Sequence, residues 1–201
     1  MLTYPVLTAK ETEMFDDVIV STEDAEIEKV AQDAGATVVC RPAELACDQS
    51  TVVQVCKHIL SLPQYESVES FCCIYATAVL LASQDILDSR KLLDTISGAD
   101  FVMGVSHYNF HPVQALKNES GYLQPMWPEY KGMQSQYYPE LVVSNGTLYW
   151  AKREKFLEVL TFYGDRLRGY CVPPERAVDI DTSDDYEYLK NIMSQSPQED
   201  D

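Results

Sequence analysis

The chain has 201 residues, 46% of them hydrophobic and 23% charged, which suits one globular domain or one domain with a sizeable insertion. Lys and Arg number 15 against 32 Asp and Glu, a net charge of −17. That balance argues against partners that need clustered cations, namely nucleic acid and anionic membrane surfaces. No apolar run approaches the ~20 residues of a membrane span. Met1 to Lys10 shows no basic region followed by an apolar stretch, so a cytoplasmic location is expected.

Short β-rich runs alternate with longer helical segments. A helix is expected over Leu2 to Phe15, then a strand at Val18-Ile19-Val20-Ser21. Ser21 and Asp24 fit a capping box, with Ile27, Val30 and Ala31 at helical spacing and Gly35 as the stop. Thr37 to Cys40 is the next strand. A helix follows over Ser50 to Leu62, with Asp48 or Ser50 placed to cap it. Phe71 to Tyr75 is apolar throughout, the texture of a central strand covered on both faces. Ser83 to Ile96 reads as a helix and Phe101 to Val105 as a strand.

From His107 to Val143 helical periodicity disappears and Pro, Tyr, Gln and Gly become frequent. This stretch is expected to be an excursion of loops and short antiparallel strands. Thr147 to Trp150 returns to strand character, Lys152 to Tyr163 to helix, and Ala177 to Asp181 to a strand end. Thr182 and Asp185 form a second capping box for a helix to about Met193, and the acidic residues 194–201 are expected to be disordered. The order of elements predicts an α/β fold: a mostly parallel sheet, joined by right-handed crossovers, with helices on both faces. The six cysteines form no Cys-x-x-Cys pair, and the three His are scattered. Zinc is therefore disfavoured, and Cys72 and Cys73 read as small buried hydrophobes.

Five groups of residues could carry chemistry. Asp179 and Asp181 stand at i and i+2 of a strand end, so their carboxylates face the same side. They fit either a seat for Mg²⁺, which takes carboxylate oxygens, or a solvated strand-to-helix turn. Arg41 is one of six arginines and could hold a phosphate or carboxylate, or pair with Glu44 or Asp48. Tyr75 and Thr77 follow the predicted central strand, where a base or ribose would rest, or form a plain βα loop. Asn145-Gly146 is a turn signal, and His107 and His111 sit in loops. No Gly precedes Gly35, so the first thirty residues hold no Gly-rich phosphate cradle.

Five segments in order resemble the acylneuraminate-type cytidylyltransferases, and most of all the bacterial pseudaminic acid enzymes. Phe15 to Asp24 resembles that family's strand ending in Ser-Thr-Asp-Asp. Arg41-Pro42 with Leu45 and Asp48 resembles its Arg-Pro-x-x-Leu-x-x-Asp, and Tyr75-Ala76-Thr77-Ala78-Val79 its Pro-Thr-Ala-Pro turn. Ser135-Gln136, Pro139-Glu140, Asn145-Gly146 and Tyr149-Trp150 fall at the spacing of a segment beginning Arg-Ser-Gln-Asp-Leu, and Asp179-Ile180-Asp181-Thr182 resembles Asp-Ile-Asp-Thr.

The resemblance implies a single nucleotidyltransferase-like domain over residues 1–193 that joins CTP to a nonulosonic acid, giving a CMP-sugar and pyrophosphate. It implies Mg²⁺ on Asp179 and Asp181, nucleotide contacts from Arg41, Tyr75 and Thr77, and sugar contacts from Gln114, Gln136, Asn145 and Gly146. It further implies a homodimer, with residues 107–143 shaping the sugar site and the dimer contact. Against the family pattern, Gln134 stands where relatives carry Arg, and Ala115 follows Pro112-Val113-Gln114 where an Arg is common. Relatives also carry an N-terminal strand and a basic Gly-rich loop that grips the triphosphate, and the resemblance begins just after that loop. An incomplete or weakened enzyme and a non-catalytic homologue keeping the fold and dimer surface are thus both expected readings.

Overall fold

A computed structural model describes residues 1–94, 98–178, 180 and 182–195. A four-stranded mixed sheet organises the molecule. Its order is β3 (Ser70–Ile74), β7 (Val142–Lys152), β4 (Phe101–His107) and β8 (Leu167–Cys171). β7 runs antiparallel to both β3 and β4, whereas β4 and β8 are parallel, so β3, β4 and β8 share one direction. β1 (Ile19–Thr22) and β2 (Thr37–Cys40) form a separate parallel pair, and β5 (Leu116–Glu119) with β6 (Tyr122–Pro125) an antiparallel hairpin. The fold is α/β as the alternation predicts, with the long antiparallel β7 at its centre.

Side chains alternate across this sheet, and each face meets its own helices. On one face Val102, Leu148 and Trp150 pack with Ile86 and Leu93 of α4 (Ser83–Asp94) and Ala9 of α1 (Thr3–Glu11). On the other, Phe101, Met103, Val105, Tyr149 and Ala151 pack with Cys56 and Leu60 of α3 (Val52–Leu60) and Phe156 of α5 (Arg153–Val159). Two buried layers on one sheet are the favourable arrangement for an α/β domain of this size. Within the first layer the Trp150 indole N–H donates to buried Ser89 Oγ at 2.9 Å. Around β1 and β2 a third cluster joins Val6, Ala31, Ala34 and Ala36 with Val18, Val20 and Val38. Val18 and α1 also touch the first cluster, and so connect the small sheet to the large one.

Several local expectations change. α2 (Ala25–Asp33) is capped by Asp24 itself, whose carboxylate accepts from Glu26 and Ile27 N–H, because Ser21 still belongs to β1. α3 is capped by Thr51 in a full capping box with Gln54, rather than by Asp48 or Ser50. Phe71 to Ile74 do contact both helical layers, but β3 is a terminal strand of its sheet, not a central one. Burial pushes the Cys72 thiol up, in keeping with a small hydrophobe.

Asn145-Gly146 is not a turn. It lies inside β7, where Gly146 takes φ +68° and the β4 register slips between Met103 and Val105, a bulge in a continuous strand. β8 was not expected from the sequence. Ala177, Val178 and Ile180 lie outside any strand, in contrast to the predicted strand end. α6 (Ser183–Gln195) opens on the predicted reciprocal cap: Thr182 N–H donates to Asp185 at 2.8 Å and Asp185 N–H to Thr182 Oγ1 at 3.2 Å.

Candidate functional site

The carboxyl ends of β3, β4 and β8 lie along one edge of the sheet, the edge where open α/β folds bind ligands. Three chain segments leave from it: residues 75–82 after β3, the excursion after β4, and residues 172–182 after β8. Tyr75 is half-buried and tied into this edge. Its N–H donates to the Thr147 carbonyl at 3.1 Å, and its ring lies 5.5 Å from that of Tyr149. Burial raises the Tyr75 pKa to about 12, so the phenol is neutral at physiological pH. Thr77 stands in the tight turn after it, its carbonyl accepting from Val79 N–H at 2.8 Å.

A buried carboxylate joins two of the three segments. Asp85 is fully buried, and both its oxygens are used. Oδ2 accepts from Ala82 N–H at 3.0 Å and Arg176 Nε at 2.8 Å. Oδ1 accepts from Arg176 Nη2 at 2.8 Å and from the Tyr170 hydroxyl at 2.9 Å. Burial alone would raise the Asp85 pKa, but the Arg176 fork, Ala82 N–H and Tyr170 outweigh it and hold the carboxyl below its ordinary value. Sequence reasoning missed Asp85, Tyr170 and Arg176. The signal available was an acid beside Ile86 on the core-facing side of α4, three residues after Ala82.

The other predicted residues divide. Asn145 is buried and engaged inside the protein: its Nδ2 donates to Ser106 Oγ at 3.1 Å, and its Oδ1 accepts from Thr147 Oγ1 at 2.7 Å. Those bonds hold the bulge at Gly146. Gln114 and Gln136 are exposed in the excursion, and Gln136 Nε2 donates to Gln134 Oε1 at 2.7 Å. Arg41 follows β2 at the carboxyl end of the small parallel pair. Its Nη2 donates to the Ser21 carbonyl at 2.5 Å, and its ion pair is with Glu23 at 3.8 Å rather than with Glu44 or Asp48. Asp179 and Asp181 lie outside the described residues, and among the described ones no cluster of His, Cys, Asp and Glu could hold a metal. Arg176, three residues before Asp179 in sequence, is bonded to Asp85, and Thr182, next to Asp181 in sequence, to Asp185.

A cavity of about 180 Å³ opens where the excursion leaves β4, lined by His107, Tyr108, His111, Ser135, Tyr138, Pro139, Glu140 and Leu141. His111 is its fixed wall. Nε2 lies 2.9 Å from the Pro139 carbonyl and Nδ1 accepts from Val113 N–H at 3.4 Å, a network that assigns the proton to Nε2. With both ring nitrogens occupied, His111 shapes the excursion. A second cavity, of about 390 Å³, lies at the amino ends of β3 and β4, among Val68, Glu69, Asp100, Lys152 and Arg153, away from this edge.

The α/β fold, with its loops gathered at one strand edge, is shared by two solved structures. The solved structure of 4-diphosphocytidyl-2C-methyl-D-erythritol synthase shares the fold, with a TM-score of 0.66 at 14% identity over 96% of this chain and 89% of that one. That of CMP:2-keto-3-deoxy-manno-octonic acid synthetase complexed with CTP does so with a TM-score of 0.64 at 10% identity, over 97% and 88%. The chain belongs to the cytidylyltransferase family, whose model matches residues 1–193. It is 29% identical to the N-acylneuraminate cytidylyltransferase of Escherichia coli over 96% of its own length and 46% of that protein. It is 25% identical to the pseudaminic acid cytidylyltransferase of Campylobacter jejuni, over 94% and 83%. The chain thus spans just under half the length of the acylneuraminate relative. No described helix is long and apolar enough to cross a membrane.

Proposed function

We propose that this protein is a CTP-dependent cytidylyltransferase acting on a nonulosonic acid of the sialic or pseudaminic type. The observation that carries the reading is the family match across residues 1–193, whose relatives include enzymes named for both acids. The anomeric hydroxyl of the sugar acid attacks the α-phosphate of CTP. The P–O bond to the β-phosphate breaks, pyrophosphate leaves, and the hydroxyl proton passes to solvent or a base. Tyr75 and Thr77 border the nucleoside, and the cavity beside His107 and Tyr138 receives the sugar. Arg41, Gln114 and Gln136 are assigned to substrate contact, whereas Asn145 and Gly146 shape the wall behind Tyr75.

Asp179 and Asp181 offer the paired carboxylate oxygens that suit Mg²⁺, which would offset phosphate charge as pyrophosphate departs. The excursion presents exposed Tyr122, Leu123 and Tyr137, and we assign it to the contact between two copies of the chain. The net charge of −17 is in keeping with the absence of nucleic acid or an anionic membrane among the partners.

A non-catalytic homologue is favoured by one observation. Two cations of the loop segments are already committed, Arg41 to Ser21 and Glu23 and Arg176 to Asp85, while both proposed substrates are anionic. Pyrophosphate release from CTP, with pseudaminic or N-acylneuraminic acid and Mg²⁺, separates the two. The enzyme reading expects turnover that falls on the order of 100-fold in Asp181→Ala, the scale of losing one electrostatic stabiliser. No release with either acid establishes the non-catalytic reading.

A further inference from the structure

The end of the sheet opposite the candidate nucleotide edge gathers cations in an acidic chain. Residues 152–168 hold five of the 15 Lys and Arg, against three of the 32 Asp and Glu. Three of those cations, Lys152, Arg153 and Lys155, line the cavity of about 390 Å³ at the amino ends of β3 and β4. Ligand sites commonly measure about 300–1,000 Å³. The junction of β7 and α5 that carries the three is pinned to both strands. Lys152 N–H donates to the Asp100 carbonyl at 3.0 Å, and Arg153 N–H to the Glu69 carbonyl at 2.9 Å. Ala151 and Phe156, on either side, are fully buried. Charged groups on so fixed a backbone are held in place before any ligand arrives.

The charges of this cavity are unevenly matched. Asp100 is paired twice, with Lys152 at 2.9 Å and with Arg166 at 3.7 Å. Lys155 meets Glu158 of its own helix at 2.7 Å, an exposed pair of little weight. The remaining acids of the lining, Glu69 and Glu154, are exposed. Arg153 is half-buried and has no carboxylate partner among the described residues. Its side chain makes one hydrogen bond there, from Nη2 to the Leu60 carbonyl at 3.2 Å, and its buried Nε makes none. A guanidinium taken partly out of water ordinarily grips a carboxylate or a phosphate. We infer that Arg153, with Lys152 and Lys155, forms a seat for a tetrahedral oxyanion, either phosphate or the phosphoryl group of a small molecule. Three cations suit the charge of a phosphate better than the single charge of a carboxylate. The seat lies at the strand ends away from Tyr75 and Thr77 and does not depend on the proposed reaction.

Equilibrium dialysis of the full chain against radiolabelled inorganic phosphate reads the seat directly. One equivalent per chain is expected, bound saturably at millimolar phosphate. Arg153→Gln is expected to weaken binding on the order of tenfold, the scale of a lost charge-assisted hydrogen bond, and Lys155→Gln about threefold. Lys117→Gln, in the β5–β6 hairpin, removes an exposed charge elsewhere and should change nothing. Competition by glycerol phosphate assigns the seat to a phosphoryl group on a small molecule, and lack of competition assigns it to the free ion. No saturable binding, an equal loss in Lys117→Gln, or displacement of phosphate by saturating CTP would overturn the inference. If Arg153→Gln does not fold, Lys155→Gln decides, and undiminished binding in that variant overturns it as well. A plain strut from Arg153 to Leu60 predicts a lower urea midpoint in Arg153→Gln and no phosphate bound by the unaltered chain. Pyrophosphate release has no part in this test, so failure of the enzyme reading and failure of the seat are told apart.

Discussion

In β4 and β7 large apolar side chains point inward: Phe101, Val102, Leu148 and Trp150 are almost wholly buried between two helical layers. In the excursion after β4 they point outward. Phe110 is 87% exposed, Tyr122 77% and Tyr137 69%, and β5 and β6 bond only to each other. An isolated hairpin of two short strands is marginal in water, and contiguous exposed apolar surface usually marks an interaction site. The sheet therefore supplies the stability. The excursion spends its apolar residues on a surface, and it is ordered locally by a few contacts such as His111 to Pro139 and Met126 N–H to the Ala115 carbonyl.

Substitutions in the two regions should differ accordingly. Phe156→Ala removes a fully buried ring from the α3–α5 layer and should cost about 3–5 kcal/mol, seen as a lower urea midpoint at constant slope. Gly104→Ala should cost about 1–3 kcal/mol, because an added Cβ meets Thr147 Oγ1 and Asn145 Oδ1, which hold the β7 bulge. A fully tolerated Gly104→Ala would mean that the bulge is not held as described. Leu123→Ser in the hairpin should change the stability of a single copy by no more than about 0.5 kcal/mol. Its effect is expected instead in light scattering, as loss of the proposed dimer; an unshifted dimer would move the contact elsewhere.

The pH dependence should expose the buried network and spare the excursion. Asp85 has a depressed folded-state pKa. Its contribution is full above the ordinary carboxylate value of about 4 and is lost as pH falls through the lower folded value. Asp85→Asn should flatten this acid limb. Tyr65 is raised to about 12 by burial and by its bond to Asp17, and Tyr75 to about 12 by burial. Both contribute fully below about pH 10 and lose that contribution as pH rises to about 12. Tyr65→Phe should remove part of that alkaline limb in urea titrations.

Local chemistry explains which parts of this fold are visible in the sequence. β2, α4 and the cap of α6 follow from periodicity, Gly35 and the Thr182–Asp185 spacing, all of which act within a few residues. β8 is invisible by the same rule. Leu167-Arg168-Gly169-Tyr170-Cys171 has a Gly, an Arg and little burial, and it becomes a strand only by pairing with β4. Asn145-Gly146 carries a genuine turn signal, but flanking strands on both sides keep β7 extended and turn the signal into a bulge. α5 ends early because Leu160 adopts a left-handed conformation, φ +49°, where helical spacing alone would continue to Tyr163. Of the candidate site, the position of Tyr75 and Thr77 just after a strand is legible. Asp85 is not, since Arg176 lies 91 residues away and no local pattern announces it.

The carboxyl edge of β3, β4 and β8 as the seat of CTP is best examined by a crystal structure of the full chain with CTP and Mg²⁺. Nucleotide bound along residues 75–79, with its phosphates toward residues 179–182, is the expected result. Nucleotide seated in the cavity of Lys152 and Arg153 at the opposite strand ends, or none at saturating CTP, would contradict it.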